Sequence, residues 1–130
     1  MLPKHLRLRD RRDFKLVYKR GQTIAVPTLA LYWRKTGGQG PRIGFSVSKK
    51  IGKAVERNRI KRRCRAVSRE LLYHFTPGTD YIFVLRPAAA KADYQRLKAD
   101  MAKSLALVTQ RREKSGPSKP KAASDEGDKL

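Results

Sequence analysis

The sequence predicts a single domain of the α+β class, in which helices and strands do not alternate regularly. Three segments carry apolar residues at helical spacing and three have the composition of strands, in the order helix, strand, strand, helix, strand, helix. The chain has 130 residues, of which 39% are hydrophobic, and this is enough for one modest core.

The first helix is predicted to begin after Asp10, whose side chain can cap it, and to end before Gly21. Phe14, Val17 and Tyr18 recur at i, i+3 and i+4 and form its apolar face. That face is largely aromatic.

Two strands are predicted next, at residues 28–33 and 42–48, with a glycine-rich loop between them. In the second strand Ile43, Phe45 and Val47 alternate with small or polar residues, so one face is buried and the other is open. We expect the two strands to pair in antiparallel fashion across this loop.

The longest helix is predicted over about residues 53–73. Ile60, Cys64, Val67 and Leu71 fall at i, i+4, i+7 and i+11, which places them on one side of the helix. This side should face the core.

Residues 80–86 form a third predicted strand, whose almost continuous apolar run indicates burial on both faces. A last amphipathic helix, over about residues 93–110, should cover the sheet. Its apolar side is formed by Tyr94, Leu97, Met101, Leu105 and Val108. Beyond Arg112 the composition is polar, so we expect a folded domain at residues 1–111 and a disordered tail at residues 112–130.

The chain is strongly basic. Its 32 Lys and Arg residues against 11 Asp and Glu give a formal charge of +21, a self-repulsion that points to an anionic partner. A nucleic acid is such a partner, because Lys and Arg release the counterions condensed on its phosphates. The alternative is a highly charged surface that serves only solubility.

The charge is concentrated in residues 42–65, which contain ten basic residues and one acid, Glu56. On a helical projection a polar stripe lies roughly opposite the apolar one. This stripe consists of Asn58, Arg62, Arg65 and Arg69. The residues that widen it on its two flanks are Arg57 and Lys61, and Arg59 and Arg63.

We interpret this helix as one that contacts phosphates, because Arg side chains can grip them in bidentate fashion. The alternative is an ordinary solvated helix surface. Such surfaces normally mix charges of both signs at i, i+4 spacing, whereas here only Glu56 and Glu70 relieve the repulsion.

A second candidate surface is aromatic and serine-containing. Its members are Phe14, Tyr18, Tyr32, Trp33, Ser46 and Ser48. Single-stranded RNA is commonly held by bases stacked on such rings beside cations. The alternative is that the rings fill the core, although strand alternation requires one of Tyr32 and Trp33 to point away from it.

Several other functions are disfavoured. The single cysteine, Cys64, cannot form an internal disulfide, and together with His5 and His74 it has no zinc-ligand spacing. No apolar run approaches the length of a membrane span, and no secretory signal is visible, so we expect a cytoplasmic protein without a membrane partner. Because carboxylates are few and scattered, we expect a binding protein and not a nuclease that acts alone.

The segment Gly-Phe-Ser-Val-Ser-Lys-Lys at residues 44–50, followed by Arg57-Asn58-Arg59, strongly resembles the family of bacterial ribonuclease P protein components. The likeness extends to residues 7–21 and 80–86 and covers about residues 5–110. It implies the fold of that family, a two-layer α/β sandwich with a four-stranded sheet and a left-handed β-α-β crossover, similar to some ribosomal proteins.

The resemblance also implies a function. The chain would be the non-catalytic subunit of a ribonucleoprotein in which the RNA removes 5′ leaders from precursor tRNA, with Mg²⁺ bound mainly by RNA and no obligate protein partner. Residues implied to contact the catalytic RNA are Lys53, Arg57, Asn58, Arg59, Lys61, Arg62 and Arg65. Residues implied to hold the leader are Phe14, Tyr18, Tyr32, Ser46, Ser48 and Lys49. A structural ribosomal or general RNA-binding protein stays open as the alternative.

Overall fold

The computed structural model describes residues 3–115. The helices are α1 (Arg11–Arg20), α2 (Ala54–Glu70) and α3 (Tyr94–Ser115), and the strands are β1 (Gln22–Val26), β2 (Leu29–Lys35), β3 (Arg42–Ser46) and β4 (Thr79–Leu85). Short 3-10 turns occupy Lys4–Leu6, Leu72–His74 and Pro87–Lys91. The predicted helices and strands are therefore present, and β1 is a strand that the sequence patterns did not single out.

The four strands form one mixed sheet in the order β1-β2-β4-β3. β4 pairs antiparallel with β2 and parallel with β3. The expectation that β2 and β3 pair directly is therefore wrong. β4 is apolar on both faces, so the position between two neighbours removes more of its apolar surface from water than an edge position would.

β3, α2 and β4 form the predicted β-α-β crossover between parallel neighbours. Its left-handedness stays a prediction from the resemblance.

Each face of the sheet contributes to a separate apolar cluster. The larger cluster lies between the sheet and the helices α2 and α3, and the smaller one lies beneath α1 on the opposite face. Strand alternation assigns the side chains of β2: Leu31 and Trp33 enter the larger cluster, while Tyr32 packs against the smaller one. Tyr32 is thus the ring that points away from the main core.

Local sequence explains where α1 begins and ends. The Asp10 carboxylate accepts a hydrogen bond from the backbone N–H of Arg12 at 2.9 Å, which is the predicted N-cap. After the helix, Gly21 passes close to β2: a Cβ at this position would lie 2.5 Å from the carbonyl oxygen of Trp33. Glycine is needed here because the two backbones approach too closely for a side chain.

The predicted apolar side of α2 is buried: Ile60, Cys64, Val67 and Leu71 are all at most 7% exposed. At the start of the helix, Glu56 accepts a hydrogen bond from the backbone N–H of Lys53 at 2.9 Å. The helix therefore has a defined start and a defined orientation on the sheet, and its other sides face outward.

α3 covers the sheet, as predicted, and it packs on the same face as α2. Asp100, which is buried, accepts hydrogen bonds from the backbone N–H of Thr28 at 3.2 Å and from its hydroxyl at 2.7 Å. The helix continues through Ser115, and the predicted domain boundary after residue 111 stays a prediction. The rest of the predicted tail, residues 116–130, lies outside the described residues.

Candidate nucleic-acid interface

The outward side of α2 and its N-terminal approach carry the residues predicted to contact the catalytic RNA, and we name this set the cationic face. Its members are Lys53, Arg57, Asn58, Arg59, Lys61, Arg62 and Arg65. Lys53, Asn58, Arg59 and Arg62 are exposed, and the other three are partly buried. Because the opposite side of the helix is buried in the core, the exposed members of the cationic face project to solvent.

The cationic face is not neutralised internally. Within the described part of the chain, none of its members forms an ion pair. Glu56 is occupied by the backbone N–H of Lys53, and Glu70 binds Lys98 at 2.7 Å and the hydroxyl of Tyr94 at 2.6 Å. The bond to Lys98, followed by that to Tyr94, lowers the pKa of Glu70. An external anion therefore meets largely uncompensated positive charge.

One member of the face has a clear internal partner. The guanidinium of Arg57 donates to the carbonyl oxygen of Gly52 at 2.9 Å, across the start of α2. This bond restrains the Arg57 side chain near the first turn of the helix. Its remaining N–H groups can still donate to an anion, since a guanidinium has five such donors.

The N-terminal segment extends this charged surface. Residues before α1 lie beside β3, where the N–H of Leu8 donates to the carbonyl oxygen of Ile43 at 2.9 Å. This pairing brings Arg7 and Arg9 to a small cleft of about 120 Å³ that Lys61 and Arg65 also line. Sequence reasoning missed both arginines, because a long-range contact places them there and no local pattern marks it.

Three rings and a serine meet on the α1 side of the sheet, and we name this set the aromatic cleft: Phe14, Tyr18, Tyr32 and Ser46. The ring centroid of Tyr18 lies 5.0 Å from that of Tyr32 and 6.2 Å from that of Phe14, both in edge-on arrangements. Partial burial raises the pKa of Tyr18, while a hydrogen bond with Ser46 opposes that shift. The structure thus brings together four of the six residues predicted to hold the leader.

The rings differ in how far they belong to the core. Phe14 and Tyr32 are partly buried against the small apolar cluster, so the core interpretation holds for them in part. Tyr18 is 41% exposed and offers the largest open aromatic surface of the three. The remaining two predicted residues, Ser48 and Lys49, are exposed in the turn that follows β3.

An ion-pair cluster fixes α1 to the sheet beside the cleft. Arg42 donates to both carboxylate oxygens of Asp80, at 2.9 and 2.8 Å, and to Asp13 of α1 at 3.1 Å. The hydrogen bonds to Asp80, together with both negative charges, raise the pKa of Arg42, although its own partial burial opposes them. Asp80 is almost fully buried, so Arg42 compensates a charge that would otherwise be unpaired inside the fold.

In the described part of the chain, no helix combines the length and the apolar character needed to cross a membrane.

Comparison with known proteins agrees with this geometry. The family model described as Ribonuclease P matches residues 2–109. The ribonuclease P protein component of Caldanaerobacter subterraneus is 41% identical over 105 residues, which cover 81% of this chain and 90% of that protein.

Solved structures show the same fold. The RNase P protein of Staphylococcus aureus superposes with a TM-score of 0.73 at 29% identity, covering 79% of this chain and 94% of that one. The RNase P protein of Thermotoga maritima gives a TM-score of 0.71 at 30% identity, covering 76% and 94%. These matches favour the ribonuclease P interpretation over the ribosomal alternative, and the chain belongs to the ribonuclease P protein family.

Proposed function

We propose that this chain is the protein subunit of ribonuclease P, which binds the catalytic RNA through the cationic face and the 5′ leader of precursor tRNA through the aromatic cleft. The observation that carries the proposal is the cationic face itself. It is a helix side rich in Arg and Lys, without ion pairs to any other residue that the structure describes, and held outward by a buried apolar side. Phosphates of a folded RNA match such a surface in charge and in hydrogen-bonding geometry.

The aromatic cleft supports the second half of the proposal. A base stacked on an exposed ring contributes about 1–3 kcal/mol in proteins that bind single strands. Tyr18 presents such a ring, and Ser48 and Lys49 supply exposed polar and cationic groups farther along the chain. We infer that the leader lies across the cleft in extended form, with its phosphates toward Lys49.

Catalysis is assigned to the RNA in this proposal. The described residues contain no group of three or more His, Cys, Asp or Glu side chains that could hold a metal ion. Mg²⁺ would therefore be bound mainly by RNA phosphates, and the protein would supply affinity and orientation. The proposal places the protein in the cytoplasm, with RNA and no obligate protein as its partner.

Reconstitution tests the whole proposal. Cleavage of precursor tRNA by the cognate catalytic RNA is measured at low Mg²⁺ with and without the full chain. We expect the protein to raise the cleavage rate or the substrate affinity, because it adds positive charge where Mg²⁺ is scarce. If neither quantity changes, or if the protein cleaves precursor tRNA without the RNA, the proposal is wrong.

A pair of tyrosine variants tests the leader cleft separately. Tyr18→Ala should weaken the affinity of the assembled enzyme for leader-bearing precursor by roughly 5- to 150-fold, the equivalent of about 1–3 kcal/mol. Affinity for mature tRNA should stay the same. Tyr73→Ala is the matched control, because Tyr73 is 99% exposed and lies outside the cleft. An equal loss of affinity for both tRNAs would show that the leader does not bind to this surface.

A further inference from the structure

A second concentration of positive charge lies away from α2, and we name it the distal groove. It forms where the end of α1, the start of β1, the end of β2 and the last turns of α3 meet, and it has a volume of about 330 Å³. Five basic residues line it: Arg20, Arg34, Lys35, Arg111 and Arg112. It shares no residue with the cationic face or with the aromatic cleft.

Among the residues that the structure describes, no carboxylate lines the distal groove. Among the side chains of residues 3–112, Arg20, Arg34 and Lys35 form no ion pair. Asp80 stands opposite Arg34 in the pairing of β2 with β4, but both of its oxygens are already bound by Arg42. Five like charges around one open groove repel one another, and an anion would remove that repulsion.

The two arginines of α3 are held in place by the fold. The guanidinium of Arg111 lies 5.7 Å from the ring centre of Trp33 and donates to the carbonyl oxygen of Thr23 at 3.2 Å. Arg112 donates to the hydroxyl of Thr79 at 2.9 Å, while its buried Nε has no hydrogen-bond partner in the described structure. Their positive ends are therefore positioned beside the groove before any ligand arrives, which lowers the entropy cost of binding.

The lining also indicates which part of a nucleic acid would fit. Trp33 is buried and its ring is covered by Arg111, so the groove offers no free aromatic surface for a base. Guanidinium and ammonium groups, by contrast, match phosphate oxygens. Binding here would accordingly be sensitive to salt and insensitive to base sequence.

We propose that the distal groove binds backbone phosphates of the catalytic RNA, as a contact surface separate from the cationic face. The inference rests on the proposed function only for the identity of the RNA. Two separate contact surfaces would restrict the orientation of the protein on the RNA more than the cationic face alone.

A charge-matched pair of double variants tests the groove. Arg20→Gln/Lys35→Gln removes two exposed cations of the groove, and Lys91→Gln/Lys103→Gln removes two exposed cations elsewhere. Both full-length variants lose the same net charge, so long-range attraction falls equally. Binding to the catalytic RNA is measured by fluorescence anisotropy across a salt series, and thermal unfolding verifies that each variant is folded.

The slope of log affinity against log salt is negative, and we expect the groove variant to reduce its magnitude by roughly one to two units relative to the control. Equal slopes for the two variants would overturn the proposal. Arg62→Gln, measured in the same series, separates this failure from failure of the proposed function. A shallower slope for Arg62→Gln, with the groove variant equal to its control, would overturn only the proposal for the distal groove.

Discussion

Gly44 determines how closely α1 can approach the sheet. A Cβ at this position would lie 2.6 Å from Cζ of Phe14 and 3.1 Å from the carbonyl oxygen of Leu8. Gly44→Ala should therefore displace the Phe14 ring and destabilise the fold by about 1–3 kcal/mol, as overpacking of a close contact does. Urea unfolding measures the loss.

Gly40→Ala is the control for this substitution, because its new methyl group would lie 3.8 Å from the nearest atom, Cδ2 of Leu6. Equal stability of the two variants would show that Phe14 moves aside at no cost. In that event the position of the Phe14 ring in the aromatic cleft would be less fixed than the contact distances indicate.

Cys64 is the one thiol of the chain, and burial raises its pKa to about 12. A thiol is reactive as the thiolate, so below that pH Cys64 should stay protonated and inert as well as inaccessible. We expect almost no labelling by a disulfide reagent at pH 8 in the folded protein and rapid labelling in urea. Fast labelling of the folded protein would contradict the packing of α2 on the sheet.

At the scale of elements, Asp100 ties α3 to the connection between β1 and β2. Its carboxylate accepts both hydrogen bonds that Thr28 donates, and Thr28 is itself buried. Asp100→Ala should cost about 2–3 kcal/mol, because it leaves a buried N–H and a buried hydroxyl without their acceptor. Thermal or urea unfolding measures this change.

Asp100→Asn keeps one acceptor oxygen at the same place and is the comparison for the alanine variant. It should lose less stability. If both variants lose the same free energy of unfolding, the ion pair of Asp100 with Arg96 at 3.4 Å would contribute more to stability than the hydrogen bonds to Thr28.

Which elements form was largely predictable from sequence, because helices and long strands leave a periodic pattern. α2 and α3 carry their core residues at regular intervals, and each of those residues is buried or partly buried in the structure. β1 was not singled out, since it is short and lies between Gly21 and Pro27. The position of β4 between β2 and β3 was missed because pairing joins residues far apart in sequence.

In the candidate sites too, surfaces on one element could be predicted from sequence, and surfaces that combine several elements could not be predicted from a local pattern. The cationic face lies on one helix, so its members could be found by projecting a single segment. The aromatic cleft needed α1, β2 and β3 together, and its residues were named through resemblance and alternation. The distal groove combines α1, β1, β2 and α3, and no local pattern connects Arg20 with Arg112.

At the scale of the whole molecule, the charge of +21 predicts opposite effects of salt on two measurable quantities. Added NaCl should raise the temperature at which the free protein unfolds, because screening relieves its self-repulsion. The same salt should weaken binding to the catalytic RNA. Thermal unfolding and RNA binding from 50 mM to 500 mM NaCl check the pair, and a free protein that salt destabilises would contradict this expectation.

The central position of β4 also has a consequence for folding of the protein during its synthesis on the ribosome. A nascent chain that ends after α2 holds the β1–β2 hairpin and β3, but β3 has no neighbouring strand with which to pair. The sheet closes only when the segment that contains β4 has emerged, and α3 must still follow to cover it. A chain synthesised only through α2 therefore cannot display the finished RNA-binding surfaces, and the protein acquires them only after the segments that contain β4 and α3 have emerged.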